Sequence, residues 1–233
     1  MIKNSAPIPP AAPRLWLVRH GQTDWNVQHR IQGHTPTDLN ENGRQQAVRL
    51  ADIFGRLPFQ AVWSSDLPRA RHTAEIIARK LSLAVETSPA LRERELGIFE
   101  GKSWDEIRAM RGAIDESAVP PSGDLADWTG VPGVETDGQL WDRVQRQLLE
   151  IGQVHPAGDI LIVTHGGVIK HSVCHILGIP PHTPRRFPLS NGITAIVQRR
   201  ADYFYLLSLA DVDLLAGRES PADTSAALAA PSA

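Results

Sequence analysis

The chain reads as a three-layer α/β/α domain with a mostly parallel central sheet, and three observations predict it. Short apolar runs, LWLV at 15–18, AVW at 61–63 and ILIV at 160–163, have the length of buried strands. Between them, apolar residues recur at helical spacing, as in Ala47, Leu50, Ala51 and Phe54. Strands that alternate with helices build a parallel sheet covered on both faces. A length of 233 residues fits one large domain of this kind.

Composition narrows the partners. A hydrophobic content of 42% and a charged content of 21% are those of a chain that can bury a real core. The formal net charge of −2 leaves no broad basic face for nucleic acid or an anionic membrane, so any anion site must be built locally from a few arginines. Cys174 is the only cysteine, so an intrachain disulfide cannot form and a reducing compartment suits the chain. The opening MIKNSAPIPPAAPR lacks the apolar core of a signal peptide, and no window has the length of a membrane span. A cytoplasmic protein is expected.

The elements follow in order. Residues 1–13, rich in Pro and Ala, are expected to be a disordered tail. Arg14–Arg19 forms a strand that Gly21 stops. Asn40 caps a helix running to Phe54, residues 61–65 form a short strand, and Pro68 opens the next helix at its first turn. A helix covers Trp104–Arg111, and a loop rich in Pro, Gly and Asp extends over 112–137. A further helix spans Gln139–Ile151. DILIVTHGG at 159–167 is a strand leading into a helix over Val168–Leu177. Two late strands fall at Ile193–Gln198 and Tyr203–Leu209, and 213–233 is a small, polar tail.

The strand at 14–19 ends in Arg19-His20-Gly21, and the strand at 159–164 ends in His165-Gly166-Gly167. If the two strands are parallel neighbours, both histidines emerge on one edge of the sheet, where ligands bind in open α/β folds. The strand at 61–65 ends on that edge too and feeds the helix carrying Arg69. Two arginines, two histidines and helix N-termini converging there make a pocket for a compact dianion such as phosphate. An acid to protonate a leaving alkoxide is available from Glu93, Glu95 or Glu100, and the residues alone do not choose among them.

Five blocks, LVRHGQTDWN, IQGHTPTDLNENGRQQA, SSDLPRARHTAE, LRERELGIFEG and IVTHGG, resemble in order and spacing the histidine phosphatase superfamily, the phosphoglycerate-mutase-like group. The resemblance covers about 14–210 and implies that fold for a domain over 14–212, with a lid-like insertion at about 102–137. It implies His20 as a nucleophile that forms a phosphohistidine, and Arg19, Arg69 and His165 as partners of the phosphoryl oxygens. It selects Glu93 as the general acid. Asn26 and Gln32 match positions that hydrogen-bond phosphate or substrate, Thr23 lies near the phosphate or caps the turn after Gly21, and the backbone of Gly166 faces the anion. No metal or other cofactor is implied. Edge-to-edge dimers occur in the family, so a homodimer is compatible with it.

The resemblance also separates two activities. The family's mutases carry a long basic insertion after the glutamate block, whereas 102–137 holds only Lys102, Arg108 and Arg111 as basic residues. Leu96 stands where the family has a tyrosine. PGVETDGQLWDRV resembles the segment before the last long helix of the small phosphatases. The expectation is a metal-independent hydrolase of a small phosphorylated metabolite, with a mutase using the same histidine as the alternative. Trp128, Leu125 and Val131 are expected to make the lid partly apolar, and Asp124 and Asp127 to repel very anionic substrates. Trp25 and Trp104 are expected at the entrance, and Arg71 and His72 at the surface. HSVCH at 171–175 has the helical spacing of metal ligands but lacks the others that a metal site needs.

Overall fold

The computed structural model describes residues 12–110, 131, 133–180, 187–200 and 203–211. The two predicted tails and most of the lid-like loop lie outside them, apart from Ala12 and Pro13. The Ala12 carbonyl accepts a hydrogen bond from Gln198 Nε2 at 2.6 Å. The elements run β1 (Arg14–Arg19), α1 (Asp24–Val27), α2 (Glu41–Phe54), β2 (Phe59–Ser65), α3 (Pro68–Leu81), β3 (Val85–Ser88), α4 (Trp104–Met110), α5 (Asp137–Val154), β4 (Asp159–Thr164), α6 (Gly166–Leu177), β5 (Thr194–Arg200) and β6 (Tyr203–Ala210).

Six strands form one sheet in the order β3-β2-β4-β1-β5-β6. The first four are parallel, and β5 and β6 are antiparallel additions beside β1. Two short elements fall outside the predicted pattern. β3 is four residues of VETS, three of them polar, with no apolar run to announce it. α1 is one turn, closed by reciprocal bonds between Thr23 and Asn26.

Alternate residues of each central strand bury opposite faces. Leu15 and Leu17 pack with Leu140, Leu148 and Val168 of α5 and α6. Trp16 and Val18 pack with Phe54 and Ile77 of α2 and α3. Each such side chain contributes about 1.5–3 kcal/mol by leaving water. The helix after β1 thus covers one face and the helix after β4 the other. Between these adjacent parallel strands lies a topological switch point, where the carboxyl ends open a crevice.

Register makes that crevice symmetric. Arg19 of β1 pairs with Thr164 of β4, so the next residues, His20 and His165, leave the sheet level with one another. At the far end Asp159 pins the pair. Its carboxylate takes Arg14 Nε and Nη2 at 2.5 Å each and Trp16 Nε1 at 3.0 Å. A small third cluster gathers Ile31, Leu96, Phe99, Ile107, Val131 and Val134. Val131, expected in the lid's apolar lining, is buried there instead. Among the described residues no helix is long and apolar enough to cross a membrane.

Candidate active site

His20 is 2% exposed, and its ring nitrogen Nδ1 lies 2.7 Å from the Gly21 carbonyl. A carbonyl only accepts, so Nδ1 carries the hydrogen and Nε2 keeps a free lone pair. Burial, then the charges of Arg69 and Arg19, hold the imidazole well below the usual histidine range. The ring is neutral at physiological pH. His165 faces it with ring centroids 5.1 Å apart. Its Nε2 lies 2.8 Å from Ser65 Oγ, at the carboxyl end of β2. Its Nδ1 is buried and has no hydrogen-bond partner among the described residues. Burial, followed by Arg69, His20, Arg143 and Arg19, keeps this ring neutral too.

Arg69, at the second position of α3, is completely buried. Its Nη1 donates to the Thr35 carbonyl at 2.8 Å and to Thr37 Oγ1 at 3.2 Å, and its Nη2 to the Gly33 carbonyl at 2.7 Å. These bonds fix the plane of the guanidinium, and its buried Nε has no partner among the described residues. Burial pulls the Arg69 pKa down to about 10, against the carboxylates of Glu93 and Glu100, so the cation persists at neutral pH. Arg19 donates to the Leu189 carbonyl, and its guanidinium lies against Gly166. A Cβ on Gly166 would stand 3.3 Å from Arg19 Nε, so glycine there lets the opening of α6 close on the arginine.

The three candidate acids separate cleanly. Glu93 Oε2 accepts the Gly167 N–H at 3.0 Å, and Oε1 accepts the Arg94 N–H at 2.9 Å. Its carboxylate therefore sits at the mouth of α6, beside His165. Glu100 is turned the other way. It accepts from His34 N at 2.9 Å, Leu96 N at 3.2 Å and Thr35 Oγ1 at 2.7 Å. Glu100 thus fastens the 33–35 loop whose carbonyls hold Arg69. Glu95 is exposed. The Gly167 N–H is thereby committed to Glu93.

The remaining predicted residues form a scaffold around His20. Thr23 is fully buried; its Oγ1 lies 3.1 Å from both Asn26 Oδ1 and Gln32 Oε1. Gln32 Oε1 also accepts from Thr37 Oγ1 at 2.6 Å. Both amide oxygens are engaged by protein donors, so the NH2 groups of Asn26 and Gln32 are the atoms left for a ligand. Gly21 is needed for close approach, not for its backbone angle. A Cβ there would stand 2.4 Å from the Gly43 carbonyl oxygen, and one on Gly43 would stand 2.0 Å from that of Gln22.

Four supporting residues carry no role in the sequence reading. Asn191 Nδ2 donates to the His20 carbonyl at 2.9 Å. Arg143 donates to the carbonyls of Ala90, Arg92 and Glu93, each at 2.8 Å, while Glu135 holds its guanidinium at 2.6 and 2.8 Å. His34 Nε2 donates to the Glu93 carbonyl at 2.8 Å. Ser65 and His34 lie inside blocks that carry the resemblance. Asn191 sits in a Ser-Asn-Gly turn, and Arg143 lies in PGVETDGQLWDRV, a segment whose resemblance does not single the arginine out.

Elsewhere, Arg71 pairs with Glu75 on the surface, and His72 Nδ1 pairs with Asp38 at 2.6 Å. His171 and His175 both turn onto Asp137, and His175 stacks on Trp141 at 4.8 Å. Among the described residues no group of three or more His, Cys, Asp or Glu is placed to hold a metal ion. The Trp25 ring lies against Gly101, and Trp104 is partly exposed.

Two neutral, buried histidines and two arginines thus lie together at the switch point of a mostly parallel α/β sheet. The chain belongs to the histidine phosphatase superfamily, branch 1, whose family model matches residues 15–212. It is 42% identical over 156 residues to "Phosphoglycerate mutase-like protein 4" of Arabidopsis thaliana, a match covering 66% of each chain. It is 33% identical over 178 residues to "Probable phosphoglycerate mutase GpmB" of Salmonella choleraesuis, covering 76% of this chain and 81% of that one. Among solved structures it resembles Bacillus stearothermophilus YhfR, with a TM-score of 0.76, 30% identity and coverage of 86% and 98%. A phosphoserine phosphatase from Entamoeba histolytica in complex with phosphoserine gives 0.72, 28% identity and coverage of 87% and 99%. A mycobacterial glucosyl-3-phosphoglycerate phosphatase gives 0.73, 28% identity and coverage of 86% and 99%.

Proposed function

We propose that this protein is a metal-independent phosphomonoester hydrolase acting on a small phosphorylated metabolite through a phosphohistidine on His20. The observation that carries the reading is the His20 ring, buried and neutral, with Nδ1 tied to the Gly21 carbonyl and Nε2 free.

In the first step the Nε2 lone pair attacks phosphorus and the bond to the ester oxygen breaks. Glu93 gives its proton to the leaving alkoxide, so an alcohol departs. His20 retains the hydrogen on Nδ1, and the Gly21 carbonyl stabilises the cationic phosphoimidazole. In the second step the Glu93 carboxylate takes a proton from water, whose oxygen bonds to phosphorus as the P–Nε2 bond breaks. Inorganic phosphate and neutral His20 result. Arg19 and Arg69 balance the charge spread over the phosphoryl oxygens, and His165 with the amides of Asn26 and Gln32 adds donors.

A monoester is favoured over a bisphosphate. Arg92, which neighbours this site, is bound bidentately by Asp66 at 2.7 and 2.5 Å, and Arg143 is bound by Glu135. Their charge is already matched by carboxylates. The test is hydrolysis of p-nitrophenyl phosphate in EDTA, comparing wild type with His20→Ala. Turnover in wild type that vanishes in the variant is expected. Isomerisation that depends on a bisphosphate primer, without hydrolysis, would favour the mutase reading suggested by the names of its relatives.

A further inference from the structure

His165 has one nitrogen against Ser65 and one without a hydrogen-bond partner among the described residues, and the Ser65 hydroxyl decides which of them carries the hydrogen. Ser65 is completely buried. Its Oγ accepts the Leu67 N–H at 3.3 Å, which occupies one lone pair. Its only other partner among the described residues is His165 Nε2, at 2.8 Å. A buried hydroxyl whose hydrogen pointed elsewhere would leave a donor without an acceptor, at the full cost of desolvating it. The hydroxyl therefore donates to Nε2, and in a neutral ring the hydrogen must then reside on Nδ1.

We propose that Ser65 is a positioning residue that locks His165 as the Nδ1–H tautomer, so that the second histidine meets the phosphoryl group as a neutral donor. The two rings then bear the hydrogen on the same nitrogen for opposite purposes. In His20, Nδ1–H is spent on the Gly21 carbonyl so that Nε2 can attack. In His165, Nε2 is spent on Ser65 so that Nδ1–H, buried and unpartnered among the described residues, can donate. β2, β4 and the turn to α3 converge to make this possible, because Ser65 ends β2 and Leu67 caps α3. A neutral donor adds a hydrogen bond without adding a cation beside Arg19 and Arg69, whose charges already crowd the pocket.

The inference rests on the proposed phosphoryl chemistry for its use, but the tautomer itself is measurable without substrate. The experiment is proton–nitrogen correlation NMR of the histidine side chains in the full-length protein at neutral pH, with His165 assigned by its loss in His165→Asn. The expected result is a protonated Nδ1 and an unprotonated Nε2. A protonated Nε2, or a doubly protonated ring, overturns the proposal.

Ser65→Ala supplies the second arm, with folding checked by a thermal melt. The His165 signals should shift to a mixture of tautomers, and kcat/KM should fall about tenfold, carried by kcat, as befits one lost orienting hydrogen bond. An unchanged Nδ1–H tautomer in Ser65→Ala overturns the role of Ser65. A wild-type tautomer as expected in a protein without phosphatase turnover would instead sink the proposed function and leave this assignment standing.

Discussion

Exchanging Glu93 or Glu100, both half-buried, for glutamine removes one negative charge and almost no volume, yet the two exchanges should fail in different ways. Glu93→Gln removes the proposed proton donor at the mouth of α6, and loss of a general acid costs about 10²–10⁴ in kcat. Its carboxylate accepts two backbone N–H groups, from Arg94 and Gly167, and an amide oxygen can still accept one of them. Glu100→Gln places an NH2 among three donors, from His34, Thr35 and Leu96. A mismatched donor of that kind costs about 1–3 kcal/mol. For a protein of this size each kcal/mol lowers Tm by about 2–4 °C, so a drop of about 2–12 °C is expected. The assay is kcat on p-nitrophenyl phosphate alongside a thermal melt for each variant. The account expects a large kcat loss with the smaller drop in Tm for Glu93→Gln, which leaves one donor mismatched, and a larger drop in Tm with most of kcat kept for Glu100→Gln. Equal kcat losses at unchanged Tm would refute it.

Other consequences are as direct. Gly43→Ala would set a methyl 2.0 Å from the Gln22 carbonyl oxygen, so a loss of about 3 kcal/mol or more in denaturant unfolding is expected, with activity falling as the His20 loop is displaced. Arg143→Lys offers one ammonium where a planar fork bridges Glu135 and three carbonyls. A kcat drop of about tenfold with little change in KM is expected for it, by steady-state kinetics. Stability should decline on mild acidification. His20 and His165 stay neutral in the fold but take up protons in the unfolded chain below about pH 6.5. The unfolded state then binds more protons, so urea stability should rise with pH up to that value and level off above it, at roughly 1 kcal/mol per pH unit for each ring. A profile flat between pH 5 and 7 would contradict two neutral buried histidines.

The parts of this molecule that speak through apolar patterning were legible in the sequence. β1 and β4 are unbroken apolar runs because both faces of each strand are covered, and α2 announces itself by Asn40 and by its buried stripe. β3 was silent, since an edge strand of four residues needs no apolar run. At the site, the histidines and arginines lie in motifs at strand ends. The choice between Glu93 and Glu100 could not be read bottom-up, because both lie within one block and only the fold shows which carboxylate meets Gly167. Arg143 and Asn191 act by holding backbone carbonyls far away in sequence, 50 and 171 positions off, and the residues around them do not tell which carbonyls those are.

The central claim is a covalent bond between phosphorus and His20. The most direct measurement is rapid-quench trapping with a ³²P-labelled phosphoester in EDTA, followed by peptide mapping of the labelled protein. The account predicts an acid-labile, alkali-stable phosphoryl group on His20, formed and lost at rates that match turnover, and absent from His20→Ala. Turnover without any labelled protein, or label on another residue, would contradict it.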